Sequence, residues 1–296
     1  MSKVFVVHGI EVLNNQGELN QKILDRMFHQ GLCLVTGNNN IKESIYSIFN
    51  EREKVGIKIN TIGGKKLSTR QEVSLALANL LCKNGLIPRN VIIWDRTNRE
   101  LKQAGYRLNQ NHNDIQIFGT DTQGVGYYQN LISHKNIGSL FSSIQYQHIT
   151  SSISLAVLKD HGLAGITAGM KNYFGAIHNP NKYHDSHCNP YIPELFQTKY
   201  IHEKHKISIL DALTVQYHRG PSFHAKWAKI HGTLIFSLDA VAADFVGWQL
   251  IEKLRAEKGL PSLKEEGREP CYLKTAEEMA LGTATQNNIQ IIEAET

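Results

Sequence analysis

A chain of 296 residues, 41% hydrophobic and 20% charged, has the balance of a folded globular protein and falls outside the disordered and fibrous classes. Its net charge of +5 is mild and its basic residues are scattered, so the dense basic stripe of a nucleic-acid binder is missing. No apolar run approaches the roughly 18–20 residues that a membrane helix needs, and the opening MSKVFVVHG reads as a strand almost at once, so no signal peptide is expected within it.

In the first half, strand-like and helix-like segments alternate. Val4–Val7 is a short β-branched run, Asn20–His29 reads as a helix, and an apolar run Leu32–Thr36 ends at Gly37. Lys42–Phe49 has helical character and Val55–Ile59 reads as a buried strand. Ser68 and Thr69 are placed to cap a helix over Gln71–Lys83, with Gly85 at its end. Asn90–Trp94 is the next strand, closing on Asp95, followed by a helix near Arg99–Ala104 and a strand over Asp114–Phe118. Short strands separated by helices predict an α/β fold, a mostly parallel sheet with flanking helices and a Rossmann-like first half. Ligands of such sheets bind beyond the carboxyl ends of the strands. That rule selects Lys58, Asn60, Asp95 and Arg96 as candidate cofactor- or substrate-binding residues.

The second half opens with an apolar, serine-rich run, Ile149–Leu158, and continues into His161–Pro190, which is too rich in Gly, Asn and Pro for one regular element. Strands are expected at Lys206–Leu210, ending at Asp211, at Thr233–Ser237, and at Ile289–Glu293. Helices are expected at Ala240–Ala256, with Asp239 and Asp244 at its N-terminal end, and at Thr275–Leu281. A single domain over 1–296 is expected, with candidate lobes 1–145 and 146–296, the second carrying the histidine-rich loop.

Ten of the fourteen histidines lie between His148 and His231, so chemistry is expected in the second half. GITAGMK sets Gly169 and Lys171 among small residues, where backbone N–H groups can approach an anion. The same text also suits a tight turn with a solvated lysine. In YHDSHC, His184, His187 and Cys188 are candidate transition-metal ligands, with Asp185 as an orienting partner, or else polar residues of a surface loop. His178 and His161 stand alone, and lone histidines are often hydrogen-bonded structural residues. Cysteines 33, 82, 188 and 271 are far apart and form no CxxC pair, so no ferredoxin-type motif exists; Cys33 and Cys82, in apolar runs, are expected in the core.

Taken together, VGIKINTIGG, VIIWDR, GITAGMKNYFG, NPYI at 189–192, ISILDAL at 207–213 and SLDAVAADFVGW at 237–248 resemble the DUF362 family, a domain of unknown function. Other members carry ferredoxin-like cysteine clusters, which this chain lacks. The subfamily it most resembles is often exported through a twin-arginine signal, which implies either an exported protein with its signal removed or a cytoplasmic one. A more distant likeness, in the order His161, Lys171, His187, is to nickel-pincer lactate racemases. It implies Lys171 as a cofactor anchor, His187 as a nickel ligand and His161 as the proton-transferring base. The expectation is therefore an enzyme of redox or isomerase type, dependent on a metal or cofactor and acting on a small anionic molecule at the His161–Cys188 loop. A non-catalytic metal- or anion-binding protein using the same loop is the alternative. Neither nucleic acid nor a bilayer is expected as a partner.

Overall fold

The computed structural model describes residues 1–296. The first half supplies β1 (Ser2–His8), β2 (Val55–Lys58), β3 (Val91–Asp95) and β4 (Gln116–Gly119), interleaved with α1 (Gln21–Thr36), α2 (Ile41–Ile48), α3 (Gln71–Lys83) and α4 (Asn98–Gln103). A hairpin of β5 (Ile132–His134) and β6 (Ile137–Ser139) follows. The second half supplies β7 (Ser151–His161), β8 (Gly165–Thr167), β9 (His205–Gln216), β10 (Ala228–Ser237) and β11 (Ile289–Glu295). Its helices are α5 (Tyr191–Gln197), α6 (Lys199–His202), α7 (Ala240–Ala256) and α8 (Tyr272–Glu278).

Nine strands form one sheet in the order β11-β1-β10-β9-β7-β2-β3-β4, with β8 paired to the end of β7. β9, β7, β2, β3 and β4 are mutually parallel, and β11 is parallel to β1. β10 runs antiparallel to both β1 and β9. The fold is thus α/β, with a mostly parallel sheet and flanking helices. The sheet runs unbroken across the middle of the chain, because β7 sits between β2 and β9.

Strand alternation explains why both faces are covered. Successive residues of each strand leave opposite faces of the sheet. Val4, Val6, Ile92, Trp94, Ala156 and Leu158 enter one core, which α7 covers over β1, β10, β9 and β7, whereas Phe5, Val7, Val91, Ile93, Ile153 and Leu155 enter the other, on the side of α1 and α3. Near-continuous apolar runs are what a strand buried on both faces requires.

Several local expectations change. Asn20–His29 and Leu32–Thr36 are one helix, α1, because the apolar positions keep a helical stripe through Leu32; Gly37, at φ 74°, supplies the left-handed cap. Ser68 and Thr69 do not cap α3. Its cap residue is Arg70, and the Thr69 hydroxyl instead donates to the carbonyl of Leu155. Asp239 does cap α7, accepting from the N–H groups of Val241 and Ala242, but Asp244 points elsewhere. Cys33 and Cys82 are half-buried; Cys188 is the fully buried cysteine.

Candidate functional site

The carboxyl ends of β2, β3 and β7 open into a cavity of about 200 Å³. Seven residues singled out from the sequence line it: Lys58, Asn60, Asp95, Arg96, His161, Lys171 and His184. Lys159, Thr167, Asn172 and Gly175 line it as well and are not among the sequence candidates.

At one end, β2 and β3 present Lys58 and Asp95. The Lys58 Nζ donates to Asp95 Oδ1 at 2.6 Å, to the Ile59 carbonyl at 2.6 Å and to Asn172 Oδ1 at 3.3 Å. Three acceptors satisfy all three N–H bonds of an ammonium. Burial presses the Lys58 pKa down, and Asp95 opposes it. The carboxylate of Asp95 is committed further, accepting from the Thr61 N–H at 2.8 Å and the Thr61 hydroxyl at 2.6 Å. Gly175 keeps this pair open to the cavity, since a Cβ there would lie 2.8 Å from Lys58 Nζ and 3.0 Å from Asp95 Oδ1. Arg96, half-buried, forks onto Glu100 one helical turn later.

β7 carries the opposite wall. Lys159 and His161 are two apart on a strand, so their side chains leave the same face. Lys159 Nζ donates to Asn60 Oδ1 at 2.9 Å and to the Leu67 carbonyl at 3.2 Å, and it pairs with no carboxylate. Burial pushes its pKa down to about 7. The His161 ring accepts at Nδ1 from the N–H groups of Leu163 (3.2 Å) and Ala164 (3.1 Å). Two backbone donors at Nδ1 place the ring proton on Nε2, which makes no hydrogen bond within the protein. Burial, with Lys171 next, drives the His161 pKa down to about 2, so the ring is neutral.

Lys171 stands in a short 3-10 turn, Lys171–Ala176, that follows β8. Its Nζ lies 3.2 Å from His184 Nε2, 3.9 Å from Cys188 Sγ and 4.2 Å from the Phe174 ring centroid. His184 donates from Nδ1 to the Pro180 carbonyl, which leaves Nε2 to accept from Lys171. Burial brings the Lys171 pKa to about 8, with Cys188 opposing.

The small residues before Lys171 serve packing. Two backbone N–H groups of this turn are taken by the buried Asp244 of α7: Gly169 N at 2.7 Å and Met170 N at 3.1 Å. Gly169 lies outside the cavity, and a Cβ there would sit 2.8 Å from Ser208 Oγ. Gly169 is therefore corrected from a ligand contact to a packing residue.

The expected metal set does not assemble. His184 and Cys188 turn towards Lys171, while His187 is exposed and donates from Nδ1 to the Leu163 carbonyl. No group of three His, Cys, Asp or Glu side chains stands where it could hold a metal ion. The donors do not fit a nickel centre anchored at Lys171, because His187 does not reach the cavity that Lys171 lines.

Lys159 and Asn172 have a legible signal only in part. Lys159-Asp160-His161 follows an apolar run as Lys58 and Asp95 end theirs, but the apolar text stops at Leu158 while the strand continues to His161. Behind the wall, Asp160 accepts from Arg268 at 2.8 Å and from the Gly220 N–H at 2.7 Å, and Arg268 also donates to the His161 carbonyl. That buried network fixes the backbone of the end of β7.

No helix of the chain is long and apolar enough to cross a membrane. No curated protein matches it. Among solved structures it is similar to the crystal structure of a protein from Thermotoga maritima, a structural-genomics target, with a TM-score of 0.47 and 9% identity. That alignment covers 82% of this chain and 60% of the other, so the chain spans about three-fifths of its length. The family model described as a domain of unknown function (DUF362) matches residues 55–249, a span that holds every residue of the cavity. The chain belongs to the DUF362 family.

Proposed function

We propose that the cavity is the active site of an enzyme that binds a small carboxylate- or phosphate-bearing molecule and moves a proton on it. One observation carries this reading: three buried lysines face a single cavity whose one buried carboxylate, Asp95, is already paired to Lys58 and Thr61. With Lys58 matched by Asp95, the buried charge of Lys171 is left without a carboxylate, which is costly unless an anion completes it. In this reading Lys171 and Arg96 hold the anionic group. The neutral His161 offers its Nε2–H to an oxygen that gains charge during reaction, a role that a preorganised donor performs without reorganisation. A buried amine with a pKa near neutrality suits proton removal at physiological pH.

Isothermal titration with phosphate, acetate and lactate tests the binding step. Saturable binding that weakens about tenfold or more in Lys171→Ala, a loss of about 1.4 kcal/mol, supports it. Absence of heat with every anion at millimolar concentration removes it. Proton exchange on a bound carbon acid, followed by NMR in deuterated water, then separates the enzyme from a non-catalytic anion-binding protein that uses the same cavity.

A further inference from the structure

The three lysines of the cavity are not equivalent. Lys58 has three acceptors for three N–H bonds, one of them a carboxylate, and its position is that of an ammonium. Lys171 lies over the face of Phe174 and donates to His184, an arrangement that favours a cation. Lys159 alone has two neutral acceptors, Asn60 Oδ1 and the Leu67 carbonyl. A neutral amine has two N–H bonds and one lone pair. Both bonds are satisfied by the protein, which leaves the lone pair without a partner in a residue that lines the cavity. Two residues along the same face of β7, His161 carries a free Nε2–H.

We infer that Lys159 is a nucleophilic amine that captures the carbonyl carbon of a small 2-oxo acid as an imine. The inference rests on the anion-binding reading above, since Lys171 and Arg96 would hold the carboxylate of that acid. The lone pair of Nζ forms a bond to the carbonyl carbon, and the π pair moves to oxygen, where His161 Nε2–H can donate. One proton passes from nitrogen to that oxygen and gives the carbinolamine. The C–O bond then breaks, and the oxygen leaves as water with the second proton from nitrogen. Amine and carbonyl become imine and water, with nothing oxidised or reduced. Protonation of the imine makes it an electron sink for a neighbouring C–H bond, which is the proton transfer the cavity is proposed to perform. Burial lowers the Lys159 pKa to about 7, which keeps much of the amine unprotonated at neutral pH.

The test is reductive trapping of the full chain with pyruvate and sodium cyanoborohydride, read by intact mass and peptide mapping, with acetate as the anion that lacks a carbonyl. A pyruvate-dependent adduct confined to Lys159, suppressed by excess acetate and absent from Lys159→Met, is the expected result. The mapping on the unsubstituted protein stands even if that variant misfolds. Binding of pyruvate and acetate by calorimetry without any trapped adduct overturns the imine and leaves the anion site standing. An adduct on Lys171, or one spread over surface lysines as in the unfolded protein, overturns the assignment to Lys159. If neither anion binds, both readings fall together.

Discussion

Lys159 illustrates how much a single side chain's neighbours decide. The same amine that is paired at Lys58 with Asp95 donates at Lys159 only to an amide oxygen and a carbonyl; burial there disfavours its charge, the more distant Asp95 opposes, and Lys171 adds a repulsive charge. This difference is measurable as a pH dependence of stability. The unfolded chain holds the Lys159 proton up to its ordinary value of 10.5, whereas the folded chain releases it near 7. Between those values the unfolded state binds more protons, so this group makes stability rise as pH increases through that window. Below about pH 7 the cost of burying the charge is felt in full. Urea unfolding of the natural chain and of Lys159→Met from pH 7 to 10 should show the natural chain gaining on the variant as pH rises. A difference that stays flat would mean that Lys159 titrates alike in both states.

At the scale of elements, α7 reaches into the site without touching the cavity. Asp244 accepts from Gly169 N, Met170 N and the Tyr272 hydroxyl at 2.9 Å, and so ties α7 and α8 to the turn that carries Lys171. Removing the carboxylate leaves three buried donors without an acceptor, each costing about 1–3 kcal/mol before relaxation. Asp244→Ala should lower stability on the order of 3 kcal/mol and weaken anion binding as Lys171 drifts. Asp244→Asn should lie between, because it keeps one acceptor oxygen. Equal denaturation midpoints for the natural chain and Asp244→Ala would show that the clamp contributes nothing. The same helix marks the boundary of what local sequence pattern conveys. Periodicity locates Ala240–Ala256, and strand ends locate Lys58, Asp95 and Arg96, because both are local patterns. Asp244 and Asn172 act across 75 and 114 residues of sequence, at distances no local pattern encodes. Lys159 is hidden differently: its charge reads as the end of a strand, yet the strand runs on to His161. Proximity in sequence also misleads at His187, which the left-handed backbone of Ser186, His187 and Cys188 turns away from its neighbour His184.

For the whole molecule, the sheet matters more than any loop. The mostly parallel order is legible from alternating strands and helices, but the placement of β10 and β11 beside β1 is not, since strand order depends on contacts more than two hundred residues apart. β7 is hydrogen-bonded along both edges, to β2 and β9, and every one of its eleven residues is buried. Over Ser152–Ser154 it is paired on both edges, so the amides there should be among the slowest in the protein to take up deuterium and should report its global opening free energy. The segment from His178 to His187, largely exposed and held by short turns, should take up deuterium orders of magnitude sooner. An added anion should slow uptake in that fast segment and leave β7 unchanged; protection gained first in β7 would contradict the arrangement. On that expectation one wall of the cavity keeps time with the unfolding of the whole chain, and the other runs on its own clock.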